Sequence, residues 1–412
     1  RSSPRKLRSV YFDTDDFALM KGGLTLRVRE ADGQYVQTLK SESGGSGPVS
    51  DRGEWEASLG RSASGPDLNR LPDGLRKKIQ TLANGAAISP RLVTDIHRTA
   101  SNLETPEGDE IELAIDHGVL RANGQEARIS ELELELKRGS AASLYRLALK
   151  LADIAPLRVG LHSKAERGFA LAHDAAPRSV RAEAIEIARH ANIEEAYSAI
   201  LHHCLHHLLM NDAAAFDAHL PEGLHQMRVA LRRMRSAFSV FGRIMGGDTA
   251  RYLSAEARWL PGAIGQARDL DVFVSDTLSA VEAGTPGDEE LARLREAAGR
   301  MRDKAWDEAR QAARSARMTR FVLRLALYIA ECGWRSESGA ERQEDGKGFE
   351  APAASFASRA LDRRLRKVVK LGRQIEHLKV AERHELRRRL KKRGYTLGFF
   401  SSLYRRSDVR RY

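Results

Sequence analysis

Two hydrophobic periods divide the chain. Up to about residue 175, short segments alternate apolar and polar positions, as a strand with one buried face requires. Leu24-Thr25-Leu26-Arg27-Val28-Arg29 sets Leu26 and Val28 against Arg27 and Arg29. A strand over 34–40 follows a turn at Asp32-Gly33, a strong hairpin signal. Residues 41–50 read as a Gly/Ser loop, and Arg52, Glu54 and Glu56 share one face of the next strand. Strands are expected over 91–103, 110–116 and 127–137, and helices over 68–82 and 141–154. Composition shifts near Ala175-Ala176-Pro177, and from Ile185 onward only helical spacing is found. Gly284-Thr285-Pro286-Gly287 marks a turn, and the charged, Gly-rich piece 336–348 a loop. The expected fold class is α+β, with antiparallel strands first and an all-α region after. The expected domains are 1–174 and 191–412, joined by a linker over 175–190.

The helical region is organised around residues 225–238. At roughly 100° per residue, His225, Arg228, Arg232 and Arg235 fall on one face, while Met227, Leu231, Met234 and Phe238 gather opposite. The offsets return downstream: His384, Arg387, Lys391 and Lys392 repeat His225, Arg228, Arg232 and Arg233. Leu386, Leu390 and Leu397 repeat the apolar side, and Gly394 replaces Arg235. This reads as an internal duplication. A third rail of Arg359, Arg363, Arg366, Lys370 and Arg373 runs opposite Leu361, Leu365 and Val368. One cationic face is commonly just solvated. Three of them, two repeating each other, point to a shared polyanion, because like charges at these spacings repel until an anion offsets them.

The sharpest strand is Glu131-Leu132-Glu133-Leu134-Glu135-Leu136-Lys137, with three carboxylates and Lys137 on one side and three leucines on the other. Two readings stand: a solvated sheet face, or oxygen ligands for a hard divalent ion such as Mg²⁺ or Mn²⁺. Arg27, Arg29, Lys40, Arg52 and Arg98 charge the faces of other strands. Were those faces to close inward, cations would stand beside metal-binding acids.

Val10-Tyr11-Phe12-Asp13-Thr14, Leu26-Arg27-Val28-Arg29, Thr38-Leu39-Lys40, Arg52-Gly53-Glu54-Trp55-Glu56, Glu133-Leu134-Glu135-Leu136 and Ser163-Lys164-Ala165-Glu166-Arg167-Gly168 together resemble the CYTH family, the triphosphate tunnel metalloenzymes. The resemblance implies a closed antiparallel β-tunnel that hydrolyses a triphosphate with a divalent metal. It implies that Arg27, Arg29, Lys40, Arg52, Arg98, Lys137, Lys164 and Arg167 hold phosphate oxygens, and that Glu131, Glu133 and Glu135 bind metal. The family opens on an acidic E-x-E-x-K strand, and none precedes Val10 here. Weak or absent hydrolysis is therefore expected of this chain unless that strand is supplied. The two histidine-headed rails, with Gly265-Gln266-Ala267-Arg268-Asp269-Leu270-Asp271-Val272, resemble the CHAD family. That resemblance implies two pseudo-symmetric helical bundles lining a basic channel for inorganic polyphosphate. It places His225, Arg228, Arg232, Arg233, Arg235, Arg268, Arg359, Arg363, Arg366, Lys370, Arg373, His384, Arg387, Lys391 and Lys392 along it.

Composition agrees with an anionic partner. The 412 residues carry 68 Lys and Arg against 56 Asp and Glu, a net charge of +12. Aromatics are 6%, and the rails carry almost none of the stacking platforms of single-strand binders. Polyphosphate or tripolyphosphate is the expected partner, with a nucleic-acid backbone as the alternative. A polyphosphate-granule protein with a dead tunnel is another. Two cysteines, Cys204 and Cys332, suggest a reducing compartment, and no apolar run reaches membrane-spanning length. A cytoplasmic place, on polyphosphate granules, without membrane contact is expected. His202-His203-Cys204-Leu205-His206-His207 has zinc-like i, i+4 spacing but no further ligand in view, so a helix facing channel or solvent is expected. The leucine faces of the strands need cover from helices, from the bundle or from a second copy.

Overall fold

The structure, a computed structural model, describes residues 4–42, 52–174, 176–337 and 348–405. Of the loops expected over 41–50 and 336–348, residues 43–50 and 338–347 lie outside the described residues, and the described residues just before them belong to a strand, which runs to Glu42, and to a helix, which runs to Glu337. Contacts divide the chain into two units, 1–148 with 160–176, and 149–159 with 177–412.

The first unit is built on seven antiparallel strands: β1 (Arg5–Asp13), β2 (Leu24–Ala31), β3 (Gln34–Glu42), β4 (Arg52–Gly60), β5 (Ser89–Glu104), β6 (Glu110–Ala122) and β7 (Gln125–Arg138). Helices α1 (Ala18–Lys21), α2 (Asp73–Ala83), α3 (Ala141–Ile154) and α4 (Lys164–Ala172) accompany them. The β2–β3 turn is the expected one: Asp32 and Gly33 both take positive φ, 51° and 72°, as a two-residue hairpin of the right hand demands. The helix expected over 68–82 is shorter. Leu68–Arg70 forms one 3₁₀ turn, and Pro72, extended at ψ 143°, delays the α-helix to Asp73.

Strand order is β4-β3-β2-β1-β5-β6-β7. Seven alternating strands leave β4 and β7 pointing the same way, so an all-antiparallel ladder cannot close between them. Among the described residues it does not. An eighth strand lying between the two ends would run antiparallel to both. Burial works against the charge of Lys137 on β7, but Glu135, Glu112 and, from β4, Glu54 hold its ammonium above the ordinary value.

The outer face of β1–β4 is apolar. Phe12, Leu24, Leu26, Val28 and Leu39 pack with Leu19, Leu71 and Ile79. The buried Asp13 locks this corner, because its carboxylate accepts the backbone N–H of Thr14 (2.7 Å), Leu19 (2.9 Å) and Met20 (3.0 Å). On the inner face α4 forms a plug: Ala165 and Phe169 pack on Tyr11, Phe17, Leu92 and Ala122. Gly168 permits that approach, since a Cβ there would stand 2.7 Å from a Leu92 methyl.

The regular structure of the second unit, beyond the end of α3, is helical among the described residues: α5 (Ile193–Met210), α6 (Asp212–Phe216), α7 (Pro221–Phe241), α8 (Asp248–Ala263), α9 (Gly265–Val272), a π-helical turn (Phe273–Leu278), α10 (Ser279–Gly284), α11 (Glu289–Ala313), α12 (Ala316–Ala330), α13 (Trp334–Glu337), α14 (Ala353–Gly372) and α15 (Val380–Phe400). The two histidine-headed motifs lie within α7 and α15, and the third rail within α14. In α7 Leu224, Met227, Leu231, Met234, Phe238 and Phe241 are buried. Tyr197, Phe241, Phe356 and Phe400 continue the core as a ring cluster. No helix among the described residues is long and apolar enough to cross a membrane.

Candidate functional site

Each unit concentrates cations in a different way. In the first, strand register puts the polar positions on the inner face. Arg29 opposes Ser9, Arg27 opposes Tyr11, Lys40 opposes Glu54, Arg98 opposes Asp116, and Asp116 opposes Glu131. Helix α4 brings in the rest. Ser163 and Glu166 form its capping box: Ser163 Oγ accepts the Glu166 N–H at 3.2 Å, and Glu166 Oε2 accepts the Ser163 N–H at 2.6 Å. The S-K-A-E-R-G motif thus divides its labour. Ser163 and Glu166 hold the helix start, and Lys164 and Arg167 reach the site.

Asp116, Glu131 and Glu133 present oxygens within 4.8 Å of one another. Lys164 Nζ sits among them, 2.7 Å from Asp116 Oδ2, 2.6 Å from Glu133 Oε1 and bonded to Glu131 Oε1. Arg98 forks onto Asp116 at 2.7 Å through both nitrogens and also reaches Glu133 Oε2. Arg167 takes Glu131 Oε2. Burial raises the carboxyl pKa of Asp116 and of Glu133, but the Arg98 and Lys164 cations outweigh it, and both stay below the ordinary carboxylate value. Lys164 is likewise desolvated yet held above its ordinary pKa by Glu133, Asp116 and Glu131.

Toward β2 the balance changes. Arg29 donates to Ser9 Oγ at 3.3 Å. Burial first, then the neighbouring charge of Arg27, lowers its pKa to about 10. Arg27 Nε is buried without a hydrogen-bond partner, and the nearest carboxylate, Glu54, is 3.7 Å from its Nη2. Glu54 also holds Lys40 at 2.9 Å. Burying guanidinium groups with so little compensation is costly unless an anion arrives.

Of the residues expected to bind metal, Glu131 and Glu133 join the cluster. Glu135 does not: its side chain is 61% exposed and pairs with Lys137 at 2.7 Å. The Arg52 side chain lies outside the described part of the structure. Asp116 was not foreseen. It falls on the last residue of the strand expected over 110–116, whereas β6 runs on to Ala122.

The second unit leaves most of its clustered cations without a carboxylate partner among the described residues; Arg251 pairs with Asp248, and Arg388 with Glu385 at 2.7 Å. A cavity of about 620 Å³ is lined by Arg232 and Arg235 of α7, Arg251 and Arg258 of α8, and Arg388, Lys391 and Lys392 of α15. Its lining contains no Asp or Glu. Burial, then the Arg258 charge, lowers the pKa of Arg235. Burial, then Arg387 and Arg232, lowers that of Lys391. Arg232 Nε is buried without a partner. His225 stands nearby with its pKa lowered, first by burial and then by Arg232, Arg268 and Arg228, against a pull upward from Glu222. The structure thus draws α7 and α15 together around one hollow and adds Arg258 and Arg388, which have no place in the duplicated motif.

Other foreseen residues lie elsewhere. Arg233 is a correction: it is 7% exposed and faces inward over the Phe399 ring, one helical position away from the Arg232 face. His384 and Arg387 are exposed on α15 outside the cavity lining. Arg228 is tied down by Gly265 O at 2.8 Å and Asp269 at 3.3 Å. Arg359, Arg363 and Arg366 form a separate cation group with Arg243, and burial followed by these charges lowers the pKa of Arg363. Lys370 and Arg373 continue this rail, exposed. The histidine run on α5, expected to face channel or solvent, is half-buried at His202, His203 and His206, while His207 is 3% exposed and its Nε2 lies 3.0 Å from Val180 O. Among the described residues, no histidine belongs to a three-ligand group of metal-binding geometry. Asp271 is buried and accepts the Trp306 indole N–H at 3.0 Å.

The CHAD domain model matches residues 199–412, and the CYTH domain model matches residues 1–169. The chain belongs to the CHAD family, with a CYTH domain before the CHAD domain. It is 27% identical over 420 residues to an uncharacterised protein of Mycobacterium tuberculosis, covering 96% of this chain and 76% of that protein. The CYTH part is 30% identical over 165 residues to an inorganic triphosphatase of Haemophilus influenzae, 40% of this chain and 46% of that protein. A crystal structure of the CHAD domain from Ricinus communis is 30% identical, covers 57% of this chain and 74% of its own, and has a TM-score of 0.49.

CYTH tunnel enzymes are metal-dependent, and the oxygens of Asp116, Glu131 and Glu133 suit a hard divalent cation. Their present arrangement already encloses one cation, the Lys164 ammonium. The donor set therefore fits a hard divalent cation on condition that Lys164 finds another partner.

Proposed function

We propose that the CHAD domain of this chain binds inorganic polyphosphate in the cavity between α7, α8 and α15, and that the CYTH tunnel grips a triphosphate. The observation that carries the first part is the cavity lining: seven Arg and Lys side chains, of which Arg251 and Arg388 have carboxylate partners, Asp248 and Glu385, while Arg232, Arg235, Arg258, Lys391 and Lys392 have none among the described residues. A regular polyanion supplies the missing counter-charge along its whole length, and guanidinium forks match its oxygens in pairs. Three aromatics share the lining, but Tyr197 and Phe238 are buried and only Tyr395 is half-buried, which leaves little stacking platform and favours an inorganic chain over single-stranded nucleic acid. Isothermal titration with long-chain polyphosphate and with DNA, at equal phosphate concentration, tests this. Tighter binding of DNA overturns it.

For the tunnel, Arg27, Arg29 and Lys40 would hold phosphate oxygens on one side, and Arg98, Lys164 and Arg167 on the other. Their charges stabilise the negative charge that spreads over a phosphoryl group in transfer. A divalent ion at Asp116, Glu131 and Glu133 supplies Lewis-acid polarisation when bound. The likeness to an inorganic triphosphatase supports phosphoanhydride hydrolysis as the reaction. Phosphate release from tripolyphosphate with Mg²⁺ or Mn²⁺, with and without an acidic strand added at the N-terminus, separates an enzyme from a tunnel that only binds. A granule-bound protein in the cytoplasm fits the polyphosphate reading, and imaging with a tagged chain would check it.

A further inference from the structure

All six carboxylate oxygens of the acidic cluster are engaged by cations of the chain itself. Asp116 Oδ1 takes Arg98 Nε, and Oδ2 takes both Arg98 Nη2 and Lys164 Nζ. Glu131 divides its oxygens between Lys164 and Arg167, and Glu133 between Lys164 and Arg98. Three carboxylates thus meet three cations, and Lys164 alone touches all three acids. Its side chain is 9% exposed. It enters from α4, whose start is fixed by the Ser163–Glu166 box and whose body is wedged against Leu92. Only the flexible stem beyond its Cα is free to move.

We propose that Lys164 is the resident cation of the tunnel, occupying between Asp116, Glu131 and Glu133 the seat a divalent ion would need. Lysine and metal exclude each other there. An ammonium left within hydrogen-bond reach of all three ligand carboxylates would face the incoming double charge at close range. Metal entry then requires that Lys164 swing to an acceptor that is not one of these acids. A triphosphate beside Arg27 and Arg29 provides it, and Arg98 can follow. Metal affinity is accordingly low in the absence of phosphate and rises when phosphate is bound, and the effect is reciprocal. The device keeps the acids compact without a metal and discriminates against free divalent ions. The proposal rests on the triphosphate reading for the identity of the displacing anion, but not for the exclusion itself.

The test is direct Mn²⁺ binding to the full chain, followed by electron paramagnetic resonance without any phosphate. Lys164→Met, which keeps the stem and removes the charge, is expected to bind Mn²⁺ at least about tenfold more tightly than the unaltered chain. Adding a non-hydrolysable tripolyphosphate analogue should tighten Mn²⁺ binding strongly in the unaltered chain and much less in Lys164→Met. Equal Mn²⁺ affinity of the two chains overturns the proposal. Should Lys164→Met not fold, amine labelling of the unaltered chain gives the answer: saturating Mn²⁺ is expected to increase labelling at Lys164, and unchanged labelling overturns the exclusion. If the analogue does not bind but Lys164→Met still gains Mn²⁺ affinity, the triphosphate reading fails and the exclusion stands.

Discussion

The unpaired Arg232 of the CHAD cavity makes a prediction with two opposite signs. It lies on α7 with Nε buried and unpartnered, and its charge adds to burial and to Arg387 in lowering the pKa of Lys391 on α15. Arg232→Met keeps the aliphatic stem that packs on its surroundings and deletes the charged head. In the ligand-free protein the deletion removes one unsatisfied buried donor and one repulsive contact. Lys391 is exposed, so the repulsion is screened and worth only a few tenths of a kcal/mol. The unsatisfied donor adds to this, and a net gain of about 1 kcal/mol is expected. For a domain of this size that raises Tm by about 2–4 °C. With polyphosphate the sign reverses. A charge-assisted hydrogen bond to a phosphate is lost, at about 1.5–3 kcal/mol, or roughly 10- to 150-fold in Kd. The slope of log K against log salt should shrink by about 0.7, the value for one neutralised phosphate on a single strand. Differential scanning calorimetry and titration calorimetry at several salt concentrations read both signs. A variant that melts lower while binding polyphosphate as tightly as before refutes the reasoning, because Arg232 would then be a structural residue.

Polyphosphate binding is expected to take up protons near neutral pH, because His225 has its pKa lowered in the free protein, first by burial and then by three arginines, and a bound anion reverses the effect of those charges. Calorimetry in buffers of different ionisation enthalpy measures the uptake, and His225→Gln should abolish it. Burial, with the charge of Arg233 next, lowers the pKa of His203 to about 4, and burial lowers those of His202 and His207 as well. An unfolded histidine titrates near 6.5, so the unfolded chain binds more protons below that value. The stability this neutrality contributes is present above about pH 6.5 and lost as pH falls toward 4. Denaturation of the CHAD domain across that window checks it, and flat stability would contradict it. Asp13→Ala strands three buried backbone donors of the α1 corner and should cost the CYTH domain about 3 kcal/mol or more, read by urea unfolding.

The architecture was legible because both hydrophobic periods are strong. The Leu24–Arg29 alternation, the Asp32-Gly33 turn and the Glu131–Leu136 alternation each fix a strand locally, and the α7 stripe fixes a helix. The sites were legible in part. Register carries Arg27, Arg29, Lys40 and Arg98 to one face once strand pairing is known, but periodicity within a strand says nothing of which strands are neighbours. Asp116 was invisible for that reason. It is one of three acids in β6, after Glu110 and Glu112, and it acquires meaning only because it opposes Arg98 on one side and Glu131 on the other. Arg233 misled for a different cause. The two repeats match position by position, yet a match of sequence does not conserve exposure: Lys392 lines the cavity and Arg233 packs over Phe399. Parity of strands, which forbids antiparallel closure with seven, is a property of the whole sheet and appears in no single segment.

The two domains meet the same physical difficulty, crowded cations, with opposite solutions, and the difference decides what each can select. In the CYTH domain Arg98, Lys164 and Arg167 are neutralised in advance by Asp116, Glu131 and Glu133. An anion that reaches these three cations must break charge-assisted bonds to do so, and beyond Arg27 and Arg29 a bare phosphate chain gains little. A chain arriving with a divalent ion satisfies both halves of the separated pairs, the cations with phosphate and the acids with metal. In the CHAD cavity carboxylates engage only Arg251, through Asp248, and Arg388, through Glu385, among the described residues, and the other five cations meet none. Any polyphosphate segment gains there without a metal, and a divalent ion complexed to the chain weakens binding by neutralising it first. Divalent ions should therefore strengthen phosphate binding to the CYTH domain and weaken it in the CHAD domain. Titrating Mg²⁺ into binding reactions with tripolyphosphate and with long polyphosphate, in the full chain and in variants lacking either Arg29 or Arg232, distinguishes the two responses. The same sign of Mg²⁺ dependence at both sites would mean that internal neutralisation does not govern selectivity in this protein.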